Sequence, residues 1–127
     1  MSTSNDEIEI LNVINRFLNC VRTKDKATFY ACVLESGVTM RFRDGEPWKQ
    51  TIGEAIETLP IWETEDIISE HMYDATVRTD GEFGMCFAPC VAYRNGELIH
   101  SGSNIFTMFK KDGKWIIAGI NDIGRKP

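Results

Sequence analysis

The sequence predicts an α+β fold, a cone-shaped curved antiparallel sheet wrapped around N-terminal helices. Three observations carry this. Apolar residues recur at helical spacing from Ile10 to Val21. Three Asp/Asn-Gly dipeptides (Asp80-Gly81, Asn95-Gly96, Asp112-Gly113) punctuate the second half. The apolar runs between them are about 10 to 14 residues long, against the usual five or six, and strands that long coil rather than stay flat.

The first helix carries Ile10, Leu11, Ile14, Phe17, Leu18 and Val21 on one stripe. Ser4 and Glu7 stand at capping-box spacing before it. Acidic residues crowd its start and Arg22 and Lys24 its end, as the helix dipole favours. Asp25 caps a second helix through Phe29, Tyr30, Val33 and Leu34, which Gly37 ends. An extended pair follows, VTMRFR and WKQT, joined at Asp44-Gly45-Glu46-Pro47, then a short helix from Gly53 to Leu59 that Pro60 stops. From Asp66 the chain reads as a four-stranded meander, because Asp/Asn-Gly between apolar runs is the strongest short hairpin signal. Gly84, Pro89, Gly102 and Gly119 are candidate bend points.

The 127 residues fit one domain, 1–127, and 43% hydrophobic residues suffice for a core. A net charge of −5 with scattered basic residues argues against nucleic acid or an anionic membrane as partner. No apolar run is long enough to span a bilayer, and the acidic start MSTSNDEIEI lacks the apolar core of a secretory signal. Cys20, Cys32, Cys86 and Cys90 have neither CxxC spacing nor a neighbouring histidine, so a reduced, cytoplasmic protein with buried thiols and no zinc site is expected.

A two-residue turn at Asp112-Gly113 sets the last hairpin by counting. Asn104 then lies opposite Asn121, and His100, Gly102, Asn104, Phe106 and Met108 share a face with Ile117, Gly119 and Asn121. Asp122 falls on the other face. Apolar walls with a few polar tips are what a small-molecule pocket needs. The second face is also partly apolar, and a homodimer through the sheet is the natural expectation.

The element order, with G-x-x-x-H-x-G-x-N-x-F from Gly96 to Phe106 and D-G-x-W-x-I from Asp112 to Ile117, resembles the nuclear transport factor 2-like superfamily, with the SnoaL-like and scytalone dehydratase-like proteins nearest. The resemblance implies a cystatin-like α+β barrel, usually dimeric, with a central apolar pocket, and activity without a cofactor. It covers enzymes, carriers and interaction modules. In the dehydratase comparison, His71 falls at one pocket histidine and Asn104 at the asparagine. Val21, Arg22, Phe42, Cys90 and Gly102 depart from the pattern. A steroid isomerase or polyketide cyclase reading needs an inward aspartate, which the count denies to Asp122.

His71 is accordingly the candidate acid/base, with a core histidine as the competing reading. Asn104 either orients a ligand or pairs structurally with Asn121. Phe42, Trp62, Tyr73, Phe87, Cys90, Phe106 and Asn121 are the candidate ligand-binding residues, the aromatics doubling as core. His100 reads as rim, and Asp122 with Arg125 as a structural ion pair. The expected function is binding of a small apolar, ring-containing molecule, with dehydration or isomerisation as the chemistry, no cofactor and no metal. A non-enzymatic carrier or interaction module is the alternative.

Overall fold

The structure, a computed structural model, describes residues 3–127, with side chains from Asn5 onward. Helix α1 (Thr3–Thr23) buries Ile10, Ile14, Leu18 and Val21, the expected stripe, and carries Asp6 in its first turn and Arg22 in its last. The Ser4–Glu7 capping box rests on a side chain outside the described residues. Asp6 Oδ1 instead accepts from Trp115 Nε1 and Lys110 Nζ, both at 3.0 Å, tying the helix start to the last hairpin.

Helix α2 (Lys26–Ala31) is capped by Asp25, whose carboxylate accepts the Thr28 amide at 3.1 Å. It ends at Ala31 rather than near Gly37, and Val33 already opens strand β1 (Val33–Arg43). Long-range pairing decides this: the Ile117 amide donates to the Cys32 carbonyl at 2.9 Å, handing the helix end to the sheet. Gly37 has a different task from the expected helix stop. The Ala118 carbonyl occupies the space a Cβ on Gly37 would need, so the backbones meet there only because the side chain is a hydrogen.

Strand β2 (Glu46–Thr51) pairs back on β1 through an Asp44-Gly45 turn with φ of 51° and 80°, the two left-handed residues of a type I′ hairpin. Helix α3 (Ile52–Glu57) opens on a full capping box between Thr51 and Glu54. A 3₁₀ turn, Pro60–Glu63, follows. The stretch expected as one strand from Ile67 is two, β3 (Ile68–Met72) and β4 (Thr76–Asp80), broken at Asp74 with φ of 47°. Both pair with β5 (Phe83–Arg94), which runs into β6 (Glu97–Lys111) and β7 (Lys114–Arg125) through left-handed Asn95-Gly96 and Asp112-Gly113 turns.

The strand order is β2-β1-β7-β6-β5-β3, with β4 also on β5. Strand β1 joins β7 in parallel, so the sheet is mixed where an all-antiparallel one was expected. It curves around α1 without closing, an open cone rather than a sealed barrel. The narrow end is filled by Ile10, Ile14, Cys86, Met108, Trp115 and Ile117. All four cysteines are free and buried. Among the described residues no helix is long and apolar enough to cross a membrane.

Candidate functional site

A cavity of about 300 Å³ opens at the wide end of the cone, room for roughly ten water molecules' share of liquid. Its floor is made of small residues in cross-strand rows. One row runs Glu70–Ala92–His100 across β3, β5 and β6. The next runs Met72–Cys90–Gly102–Gly124, and the third joins Ala88, Asn104, Asp122 and Arg41. Ala92 in the first row and Gly102 and Gly124 in the second leave the void, and Glu70, His100, Asn104, Asp122 and Arg41 border it.

Asp122 is there because of a bulge. The β6–β7 register follows the simple count from Lys111↔Lys114 to Met108↔Ile117, then slips by one, with Thr107 opposite Gly119 and Ala118 unpaired. Beyond the slip Asn104 faces Asp122, not Asn121. A one-residue slip exchanges the faces of a strand. Asp122 therefore lines the cavity, where it was expected outside, and Asn121 is exposed on the outer face. The Ala118 carbonyl is the one seated on Gly37, so the bulge has its own support.

Glu70 is inward and His71 outward for a related reason. Asn95 clamps Ile67: its amide donates to the Ile67 carbonyl at 2.7 Å, and its Oδ1 accepts the Ile67 amide at 2.8 Å. That sets Ile68 opposite Arg94 and Glu70 opposite Ala92. Ile68, Glu70 and Met72 then face in. His71 lies exposed in a surface groove beside α1, its Nε2 3.2 Å from Ser69 Oγ and its ring 5.9 Å from that of Tyr93. The placement corrects the expectation of an inward His71.

The other expected site residues divide. Asn104 is buried in the cavity wall, and its Nδ2 donates to Cys90 Sγ at 3.0 Å. Cys90 lines the same wall; burial first, and then the nearby Glu70, push its thiol up to about 12, so it is a neutral thiol and not a nucleophile. Phe106 closes the deeper end, with Ile120 and Leu18. Phe42, Phe87 and Tyr73 are 47%, 41% and 50% exposed and do not line the cavity. Trp62 packs edge-on to Phe29 at 6.0 Å and donates its Nε1 to the Ile56 carbonyl at 2.6 Å, so it belongs to the helix layer.

Four groups that the sequence reading did not place at the centre meet there: Arg41, Glu70, His100 and Asp122. Arg41 Nε and Asp122 Oδ2 form an ion pair at 3.2 Å, half-buried on both sides. Glu70 forms no hydrogen bond among the described residues. It is partly buried and borders both the cavity and the groove beside α1. Loss of water around it pushes its carboxyl above the usual range; Arg41 opposes the rise and Asp122 adds to it. His100 is held below its ordinary value by burial, then by Arg43 and Arg41, with Asp122 opposing. The sequence signal for Glu70 was the I-x-E-x-M alternation at Ile68–Met72, which competed with I-x-S-x-H-x-Y one residue earlier. Among the described residues no three His, Cys, Asp or Glu side chains gather as a metal site.

No family model matches the chain, and no curated protein matches it. Solved structures do. An NTF2-like protein with a cystatin-like fold from Novosphingobium aromaticivorans superposes with TM-score 0.79 at 17% identity, over 95% of this chain and 82% of that one. A protein described provisionally as a dehydratase of the NTF2-like family, from Streptomyces avermitilis, gives 0.79 at 14% identity, over 99% and 100%. The beta subunit of a protein described provisionally as an aromatic-ring-hydroxylating dioxygenase, also from Novosphingobium aromaticivorans, gives 0.78 at 9%, over 98% and 92%. At these identities the likeness concerns architecture: this chain has the nuclear transport factor 2-like, cystatin-like α+β fold.

Proposed function

We propose that the cone binds a small molecule with an apolar ring body and moves a proton on it without a cofactor, in a dehydration or isomerisation. Glu70 is the acid/base and Asn104 orients the substrate. The observation that carries this reading is the Glu70 carboxyl in the cavity wall, without a hydrogen-bond partner among the described residues and held above its usual range by loss of water, beside an aspartate already paired with Arg41. A carboxyl whose surroundings favour its neutral form is suited to hold and give up a proton. The Asn104 amide, anchored on Cys90, borders the same space and can hold a carbonyl or hydroxyl.

Proton exchange tests this without knowing the natural substrate. With the cyclic ketone 2-tetralone in D2O, the wild-type protein should accelerate loss of the α-proton NMR signals, and Glu70→Gln should lower that rate by about a hundredfold or more. Binding of the ketone without acceleration would replace the enzyme by a carrier.

The same reading extends to assembly, with two copies packing through the outer sheet face. In its support, Phe83 and Phe109 (centroids 6.0 Å apart), Phe87 and Ile105 stand exposed side by side on β5 and β6, and Phe42 and Val38 on β1. Exposed apolar clusters of this kind support an interaction surface. Ile105→Arg should convert a dimer to monomer in sedimentation velocity; a monomeric wild-type protein at tens of micromolar, an order-of-magnitude choice for a modest interface, would remove the dimer.

A further inference from the structure

The cavity mouth carries a charge imbalance that the proton-transfer reading does not use. The chain as a whole is at −5, yet three arginines, Arg41, Arg43 and Arg94, line this cavity against two carboxylates, Glu70 and Asp122, with His100 beside them. Two of the guanidiniums are spoken for: Arg41 by Asp122 at 3.2 Å and Arg94 by Asp66 at 3.4 Å. Arg43 closes no ion pair among the described residues, although Glu46 stands opposite it on β2.

Arg43 follows Arg41 and Phe42 on β1, where Phe42 lies beside Ile123 of β7. The neighbouring inner-face positions are Gly124 and Gly102, which face each other across β6 and β7. The glycines themselves put no side chain on that floor, and the His100 ring borders it, 3.8 Å from where a Cβ on Gly124 would stand. At Gly102 no side chain can stand, because the Ile123 carbonyl occupies the place of a Cβ. Trp48, opposite Arg41 on β2, is half exposed on the same rim. A free guanidinium, a glycine floor and an indole face together make a receptor for an anionic group attached to a flat apolar body.

We infer that the ligand of this cavity carries a carboxylate, held by Arg43 at the mouth, with its ring body lying over Gly102 and Gly124 beside Trp48 and reaching toward Glu70 and Asn104. This rests on the pocket reading above and names its substrate class. One uncommitted guanidinium balances one negative charge. A dianionic phosphate would place its second charge near Glu70 and Asp122 with no further free cation to meet it. The electrostatic neighbourhood agrees, since Arg43 is the foremost charge opposing protonation of His100, which leaves the guanidinium as the cation available to the ligand.

The test compares 1-naphthoate with 1-naphthamide, equal in shape and different in charge, by titration calorimetry at pH 7.5. The wild-type protein should bind the acid about tenfold more tightly than the amide, the scale of one partly exposed charge-assisted contact. Arg43→Gln should erase that preference, so that acid and amide bind alike. Lys49→Gln, on the outer face of β2, removes the same charge and should keep the preference. Equal binding of the two probes, or a preference that survives Arg43→Gln, overturns the carboxylate assignment while the pocket stands. A preference lost equally in both variants reassigns it to net charge and overturns it too. If neither probe binds the wild-type protein, the pocket reading itself falls and this inference with it.

Discussion

The two ends of the cone are built from the same strands and do opposite things. At the narrow end, β5, β6 and β7 present Cys86, Phe106, Met108, Trp115 and Ile117 inward, all buried against Ile10 and Ile14 of α1. At the wide end the same strands present Cys90, Ala92, Gly102 and Gly124, with Arg41, Glu70, His100 and Asp122 around them. Large side chains fill one end to interior density, and small ones leave the other hollow. The Ala118 bulge lies at the boundary. Below it the hairpin serves the core, and beyond it the slipped register turns an aspartate into the cavity. The difference teaches that the packed core and the cavity with its charged groups are held in separate halves of one sheet.

The largest effect should come from the narrow end. Met108→Ala, at a fully buried position, should cost about 2–5 kcal/mol through lost contacts and a residual cavity, read from urea unfolding. A cost under about 1 kcal/mol, the range of tolerated volume-conserving swaps, would mean that this end is not the stabilising one.

The wide end should answer in the other direction. Below the ordinary glutamate value of 4.5 the Glu70 carboxyl is neutral in both folded and unfolded chains. Above it the unfolded chain ionises first, because the folded carboxyl is raised. Stability therefore falls with rising pH until the folded carboxyl has also ionised. Glu70→Gln escapes this loss. Its melting temperature should match the wild type near pH 4 and exceed it at pH 8, while proton exchange on the ketone is lost. A variant gap that does not widen with pH would show that Glu70 is not strained in the fold. Gain of stability with loss of activity is what a functional rather than a packing residue gives.

The smallest effect isolates one charge. Arg43→Gln should leave the unfolding free energy within about 0.5 kcal/mol. It should raise the His100 titration midpoint, followed by NMR of the ring protons, because the charge that opposes protonation has been removed. An unmoved midpoint would place the Arg43 guanidinium away from the mouth.

Much of the architecture was legible. The α1 stripe, the Asp25 cap and the Asp/Asn-Gly turns are local, written within a few residues of where they act, and the φ values of Asp44, Asn95 and Asp112 show why those residue types stand there. The errors fall where distant segments decide. Val33 to Gly37 continues a helical pattern, and only the hydrogen bond from Ile117 and the pairing with β7 pull it into a strand. His71 and Glu70 are equally plausible inward residues by alternation, and the Asn95 clamp on Ile67 chooses between them. Asn121 and Asp122 differ by a single step, and the step is a bulge with no local signature.

Residue chemistry and local turn geometry were thus sufficient for the container: helices in front, a coiled sheet behind, one polar asparagine and one thiol in its wall. Which carboxylate enters the cavity was decided by contacts across the whole chain, Gly37 against Ala118 and Asn95 against Ile67. Side chains alternate with a period of two, so one residue of slip reverses every face beyond it. That slip is set by backbone groups from strands that meet only after folding.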